Sequence, residues 1–124
     1  MKEIKAYIKA IKRDEVTNAL HRIKGLQGAS FSNVLGFGRS KEMSSGHASG
    51  SDVSGYVKHV KVEVVCDAEL ESAVVEAIHR AAHTGLRGDG RIFVSDIGYS
   101  IRIQEDPEAR PSRSVPLNDP TTES

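Results

Sequence analysis

The chain has no tryptophan, one cysteine, and no proline before residue 107. With Cys66 alone, an internal disulfide framework and a cysteine-based zinc ribbon are both excluded, and a reducing compartment is the simplest expectation. Aromatic residues make up only 5%. Stacking platforms for single-stranded nucleic acid are therefore not expected, and a core of Val, Ile, Leu and Ala is. No stretch approaches the roughly 18 apolar residues of a membrane span, and MKEIKAYIKAIKRD at the start lacks the apolar centre of a signal peptide. A cytoplasmic protein with no membrane insertion is the reading that follows. Charge of one sign is missing as well: 17 basic and 17 acidic residues balance to zero, which argues against nucleic acid as a partner.

What is present divides the 124 residues unequally. All four prolines, Pro107, Pro111, Pro116 and Pro120, fall in the last eighteen residues, where hydrophobic periodicity is absent. Residues 1–105 are predicted to form one domain and residues 106–124 a disordered or loosely docked tail. Residues 105–124 carry five acids and two bases, so this stretch is acidic by three charges and the remainder is basic by three.

Within the body, Ile4, Ala6 and Ile8 alternate with polar neighbours as in a half-buried strand. Asp14 opens a predicted helix with Val16, Ala19, Leu20 and Ile23 on one face, and Gly25 ends it. Residues 29–37 read as a second strand. From Ser44 to Gly55, five serines and three glycines leave Val53 as the sole core-type residue, the composition of a long mobile loop. Val60, Val62, Val64 and Cys66 mark a third strand. Asp67 is the predicted cap of a second helix, with Leu70, Ala73, Val74, Ala77, Ile78 and Ala81 as its apolar stripe and Gly85 at its end. Residues 91–97 form a fourth strand, and Tyr99 to Ile103 either extend it or make a short fifth. The order β-α-β, long loop, β-α-β implies an α+β fold, a ferredoxin-like βαββαβ sandwich with both helices on one face of an antiparallel four-stranded sheet.

The richest segment for chemistry runs from Thr84 to Val94, TGLRGDGRIFV. Gly88 and Gly90 would let backbone N–H groups approach an anion, and Arg87 and Arg91 supply cations suited to phosphate. Taken alone, a Gly-Asp-Gly turn is more often structural. A second basic glycine segment, GFGRSK at 36–41, precedes the long loop. Its plain structural explanation is a strand end with a bulge.

Together these segments resemble the P-II nitrogen-regulatory signal-transduction family over residues 1 to about 104, through MKEIKAYIKAIKRDEVTNAL, GFGRSK, KVEVV, VVEAIHRAAHTGLRGDGRIFV and IRI. The resemblance implies a homotrimer that binds adenine nucleotides in clefts between subunits. It also implies that a flexible loop at about 39–58, the family's T-loop, touches a target protein such as an enzyme or membrane transporter. By position, Gly88, Asp89, Gly90 and Arg91 look like the loop that holds the nucleotide phosphates, with Gly38 and Arg39 at the phosphate-facing start of the long loop. Ser30 and Val65 fall where the family lines the adenine, with Glu63 nearby. Arg102 resembles the first of two arginines that reach phosphates across the subunit boundary.

Departures from the family pattern matter as much. Gln104 stands in place of the second arginine, so one cation is missing. The most negative ligand gains most from each cation, so ADP or AMP is expected over ATP with Mg. Asp52 occupies the place of the tyrosine that is uridylylated in relatives, so that modification is not expected; Tyr56 lies only at the loop's return. Ser40 replaces a glutamine, and His59, beside Lys58, replaces a lysine, of the 2-oxoglutarate site. A neutral imidazole holds a carboxylate less firmly than an ammonium. Bicarbonate, sensed by some relatives, becomes an alternative effector for Ser40, Lys58 and His59, beside conventional ATP and 2-oxoglutarate sensing.

The rival reading is a metal-binding protein or small enzyme on the same fold, using His47, His59 or the i, i+4 pair His79 and His83. No Ser-His-Asp or paired-carboxylate constellation supports catalysis, and no resident metal is expected. Cys66 reads as a buried strand thiol, and Ser49 and Ser51 as parts of a flexible spacer.

Overall fold

A computed structural model describes residues 1–37 and 56–108. Its elements are β1 (Lys2–Ile8), α1 (Arg13–His21), β2 (Ser30–Gly36), β3 (Val57–Cys66), α2 (Glu71–Ala82) and β4 (Gly90–Asp96), with 3-10 turns at Ala10–Lys12 and Ala68–Leu70 ahead of the two helices. The strands form one antiparallel sheet in the order β2-β3-β1-β4. Both central strands, β1 and β3, were the ones with unbroken alternation. This is the expected ferredoxin-like arrangement.

Alternation decides which face the helices cover. Ile4, Ala6 and Ile8 of β1 pair in register with Val64, Val62 and Val60 of β3, and all six are at most 1% exposed. Val16 and Leu20 of α1, Val74, Ile78 and Ala82 of α2, and Cys66 complete the core, which contains no buried polar side chain among the described residues. Burial, and then the nearby carboxylates of Asp67 and Glu71, push the Cys66 thiol up from its ordinary pKa. A thiol so placed is a packing group.

Local details differ from the sequence expectations for identifiable reasons. The chain enters each helix through a 3-10 turn, so α1 starts at Arg13, with Asp14 in its first turn. Asp67 flanks the turn at 68–70 and makes no side-chain capping bond. In α2 the buried line is Val74, Ile78 and Ala82, with Val75 packed partly against the core. Ala73 is exposed because the core-facing line is centred on the 74–78–82 row, and Ala73 lies well around the cylinder from it. Residues 99–103 form no fifth strand; only Ser100 makes an isolated bridge. The expected loop at 39–58 lies largely outside the described residues, and so does the tail from 109.

Candidate functional site

The glycine loop between α2 and β4 is built around one carboxylate. Asp89 Oδ2 accepts the backbone N–H groups of Thr84 and Gly85, each at 2.8 Å, and Oδ1 accepts the Thr84 hydroxyl. Thr84 Oγ1 in turn accepts the Leu86 N–H at 3.1 Å. Lys9, at the end of β1, closes the cluster, with Nζ 3.2 Å from Asp89 Oδ1 and 3.3 Å from Thr84 Oγ1. The Thr84 hydroxyl and N–H, followed by Gly85 and Lys9, hold the Asp89 carboxyl well below the usual carboxylate range. His83 Nδ1 lies 3.9 Å from Asp89 Oδ2, an ion pair only when the ring is protonated.

This inward-turned carboxylate leaves residues 88–90 with glycine backbone outward. Gly88 and Gly90 take φ of +84° and +102°, where other residues are strained. At Gly90 the requirement is steric as well. A Cβ there would stand 1.6 Å from the Tyr7 carbonyl oxygen, so the loop can join β4 to β1 only through glycine. Both glycines are exposed. Such a backbone admits close approach by an anion.

The open face of the sheet carries most of the remaining predicted residues. Register places Ser30 opposite Glu63 and Glu63 opposite Lys5, while Lys61, Tyr7 and Arg91 form the adjoining row. Val65 lies opposite Glu3 on the same face. Lys61 Nζ is 3.7 Å from Glu63 Oε1. Tyr7 and Phe93 meet edge to face, with ring centroids 6.3 Å apart. Thus Ser30, Glu63, Val65 and Arg91 share one surface, with Arg91 the second residue of β4, beside the glycine loop.

Other predicted residues do not converge. Lys58 and His59 are successive strand residues and fall on opposite faces of β3. His59 is on the open face, where Nε2 lies 3.2 Å from the Gly88 carbonyl oxygen. Arg102 and Gln104 belong to the irregular segment after β4, in which the Arg102 carbonyl accepts the Glu105 N–H at 3.1 Å. Since Gly90 pairs with Ile8 and Asp96 with Lys2, β4 carries the chain to the end of the sheet away from the glycine loop before that segment begins. Gly38, Arg39, Ser40 and His47 lie outside the described residues.

Two surface clefts complete the picture. One of about 310 Å³ is lined by Val75, Ile78, Ala82 and Ile92 together with His79, His83, Asp89 and Arg91. The His79 and His83 rings meet edge to face at 6.1 Å, and no group of three metal-binding side chains exists among the described residues. A second cleft, of about 230 Å³, lies between α1 and the start of β2 near Gln27 and Phe31. Neither gathers Ser30, Glu63 and Val65.

Sequence reasoning missed Lys9 and Thr84. The signal for Lys9 was its place as the last polar residue in the β1 alternation, and for Thr84 its spacing of five from Asp89 across a glycine turn.

A βαββαβ fold with an exposed glycine-arginine loop beside a polar open face defines a small α+β domain of the ferredoxin-like class. The family described as Nitrogen regulatory protein P-II matches residues 1–107. Proteins named nitrogen regulatory protein P-II from Azospirillum brasilense, Rhizobium meliloti and Bradyrhizobium diazoefficiens are 41%, 46% and 42% identical to it over 104 residues, covering 84% of this chain and 92% of each relative. The chain belongs to the nitrogen regulatory protein P-II family.

Proposed function

We propose that this chain is a non-enzymatic signal-transduction regulator that binds an adenine nucleotide by its phosphates at the glycine loop. The observation that carries the reading is the loop itself, with Asp89 tied inward by Thr84, Gly85 and Lys9 while Gly88 and Gly90 expose backbone beside Arg91. A ligand bound there would not have to organise the loop first, and preorganisation saves affinity. Ser30, Glu63 and Val65, on the adjoining open face, are the proposed adenine side.

The site is proposed to be completed between subunits of a homotrimer. Support comes from the sheet: among the described residues both helices pack on its other face, and Arg102 follows a strand that leads away from the loop. With Gln104 in place of a second arginine, ADP or AMP is preferred to ATP and magnesium. Residues 39–58 then report nucleotide state to a target, an enzyme or a membrane transporter. For a small-anion co-effector such as bicarbonate, the opposite faces of Lys58 and His59 leave only His59 on the loop side. Among the described residues no helix is long and apolar enough to cross a membrane.

A thermal-shift panel of AMP, ADP, ATP, 2-oxoglutarate and bicarbonate tests this reading, because a ligand of the native state raises its stability by mass action. A rise with ADP and AMP that exceeds the rise with ATP is expected. No response to any adenine nucleotide would refute it.

A further inference from the structure

We propose that His59 is a positioning residue that clamps the glycine loop from the third strand, by donating its Nε2–H to the Gly88 carbonyl. The inference rests on the phosphate-site reading only for its consequence, not for its geometry. A carbonyl oxygen accepts and cannot donate, so the 3.2 Å contact requires the proton on Nε2. In the neutral ring Nδ1 is then an acceptor, which repels an anion. His59 therefore serves the loop through Nε2, and its Nδ1 can accept from the hydroxyl of bicarbonate but gives an ionised carboxylate no donor.

The bond has a definite mechanical effect. The Gly88–Asp89 peptide is planar and trans, so holding its carbonyl toward β3 aims the Asp89 N–H the opposite way. Gly88 is the residue least able to hold that orientation itself, since it lacks a side chain and takes φ of +84°. Lys9 fastens the neighbouring side chain from β1, and a Cβ at Gly88 would be 3.7 Å from Lys9 Cε. Consecutive loop residues are thus gripped from two sides, by Lys9 just after β1 through the Asp89 carboxylate and by His59 of β3 through the Gly88 carbonyl. Because β3 begins at Val57, two residues before this histidine, the loop's orientation is linked to how the chain enters β3 from residue 56.

The test uses the full chain, 15N-labelled, as wild type, His59→Leu and His59→Gln, since a glutamine amide nitrogen can occupy the place of Nε2. In the nucleotide-free wild type, the imidazole nitrogens are expected to show the Nε2–H tautomer, a readout that needs no substitution. His59→Leu should move the amide signals of Gly88, Asp89 and Gly90 and weaken ADP binding about three- to tenfold, the range for one lost hydrogen bond. His59→Gln should restore both. A neutral ring protonated on Nδ1, or loop amides unmoved in His59→Leu, would overturn the proposal. If the amides move and recover as expected while ADP binds none of the three proteins, the clamp stands and the nucleotide reading falls.

Discussion

The two faces of the sheet are made by the same strands under opposite rules. On the helix side, Ile4, Ala6 and Ile8 of β1 meet Val64, Val62 and Val60 of β3 at close to zero exposure. On the other side, Glu3, Lys5 and Tyr7 meet Val65, Glu63 and Lys61, all half-buried. The first face needs only apolar volume, and the hydrophobic effect is tolerant of which aliphatic residue supplies it. The second consists of pairs whose identity matters, because charge and hydrogen bonding are directional. The pleat thus separates the residues that build the core from the charged and polar pairs.

The largest effect should come from damaging the helix-covered face. Ile78→Ala removes a fully buried side chain between α2 and the sheet and should cost about 2–5 kcal/mol in urea unfolding. Gly90→Ala tests the junction of the two faces: its Cβ would collide with the Tyr7 carbonyl at a positive φ, and a loss of about 3 kcal/mol is expected, with β4 amides losing exchange protection. If Gly90→Ala were neutral, the loop would not be tied to β1 as described.

Changes in the loop cluster should cost less stability than core changes and show mainly in ligand binding. Asp89→Asn keeps the shape but removes the charge that Lys9 faces and places an amide against donors. Calorimetry should show ADP weakened on the order of tenfold, and the unfolding midpoint should fall as well, because the depressed carboxyl contributes stability at neutral pH. Lys9→Met removes a half-exposed ion pair and should weaken ADP by about twofold to fivefold.

The smallest effect expected is that of mild acid. A carboxylate whose folded pKa is depressed contributes stability that is fully present above its unfolded value, near 3.9, and is lost as pH falls through the folded one. Asp89 is held well below the usual carboxylate range. Carboxyl 13C shifts should therefore show it ionised between pH 7 and 4.5, with the loop amides in place. Protonation of Asp89 within that window would contradict the loop geometry.

How much could be read in advance follows the same division. The core strands and both helices were legible because burial imposes a period, two for Val60 to Cys66 and near 3.6 for Val74 to Ala82. The helix starts were less so, since 3-10 turns at Ala10–Lys12 and Ala68–Leu70 share the composition of a first helical turn. At the site, the conformational role of Gly88 and Gly90 was visible in TGLRGDGR. The role of Asp89 as the loop's organiser was not, because its partners Thr84 and Lys9 are set by how the loop folds over the end of β1. The separation of Lys58 from His59 follows from strand alternation alone and could have been drawn from the pattern. The contact between His59 and Gly88, 29 residues apart, could not.

The central claim is that the exposed loop at 88–91 holds nucleotide phosphates, with one cation fewer than the family pattern. Calorimetric titration of the full chain with ADP and with ATP and magnesium, in parallel with Arg91→Ala, tests it most directly. The account predicts binding of both, ADP tighter than ATP, and marked weakening of each in Arg91→Ala. ATP clearly tighter than ADP, or affinities unchanged by Arg91→Ala, would contradict it.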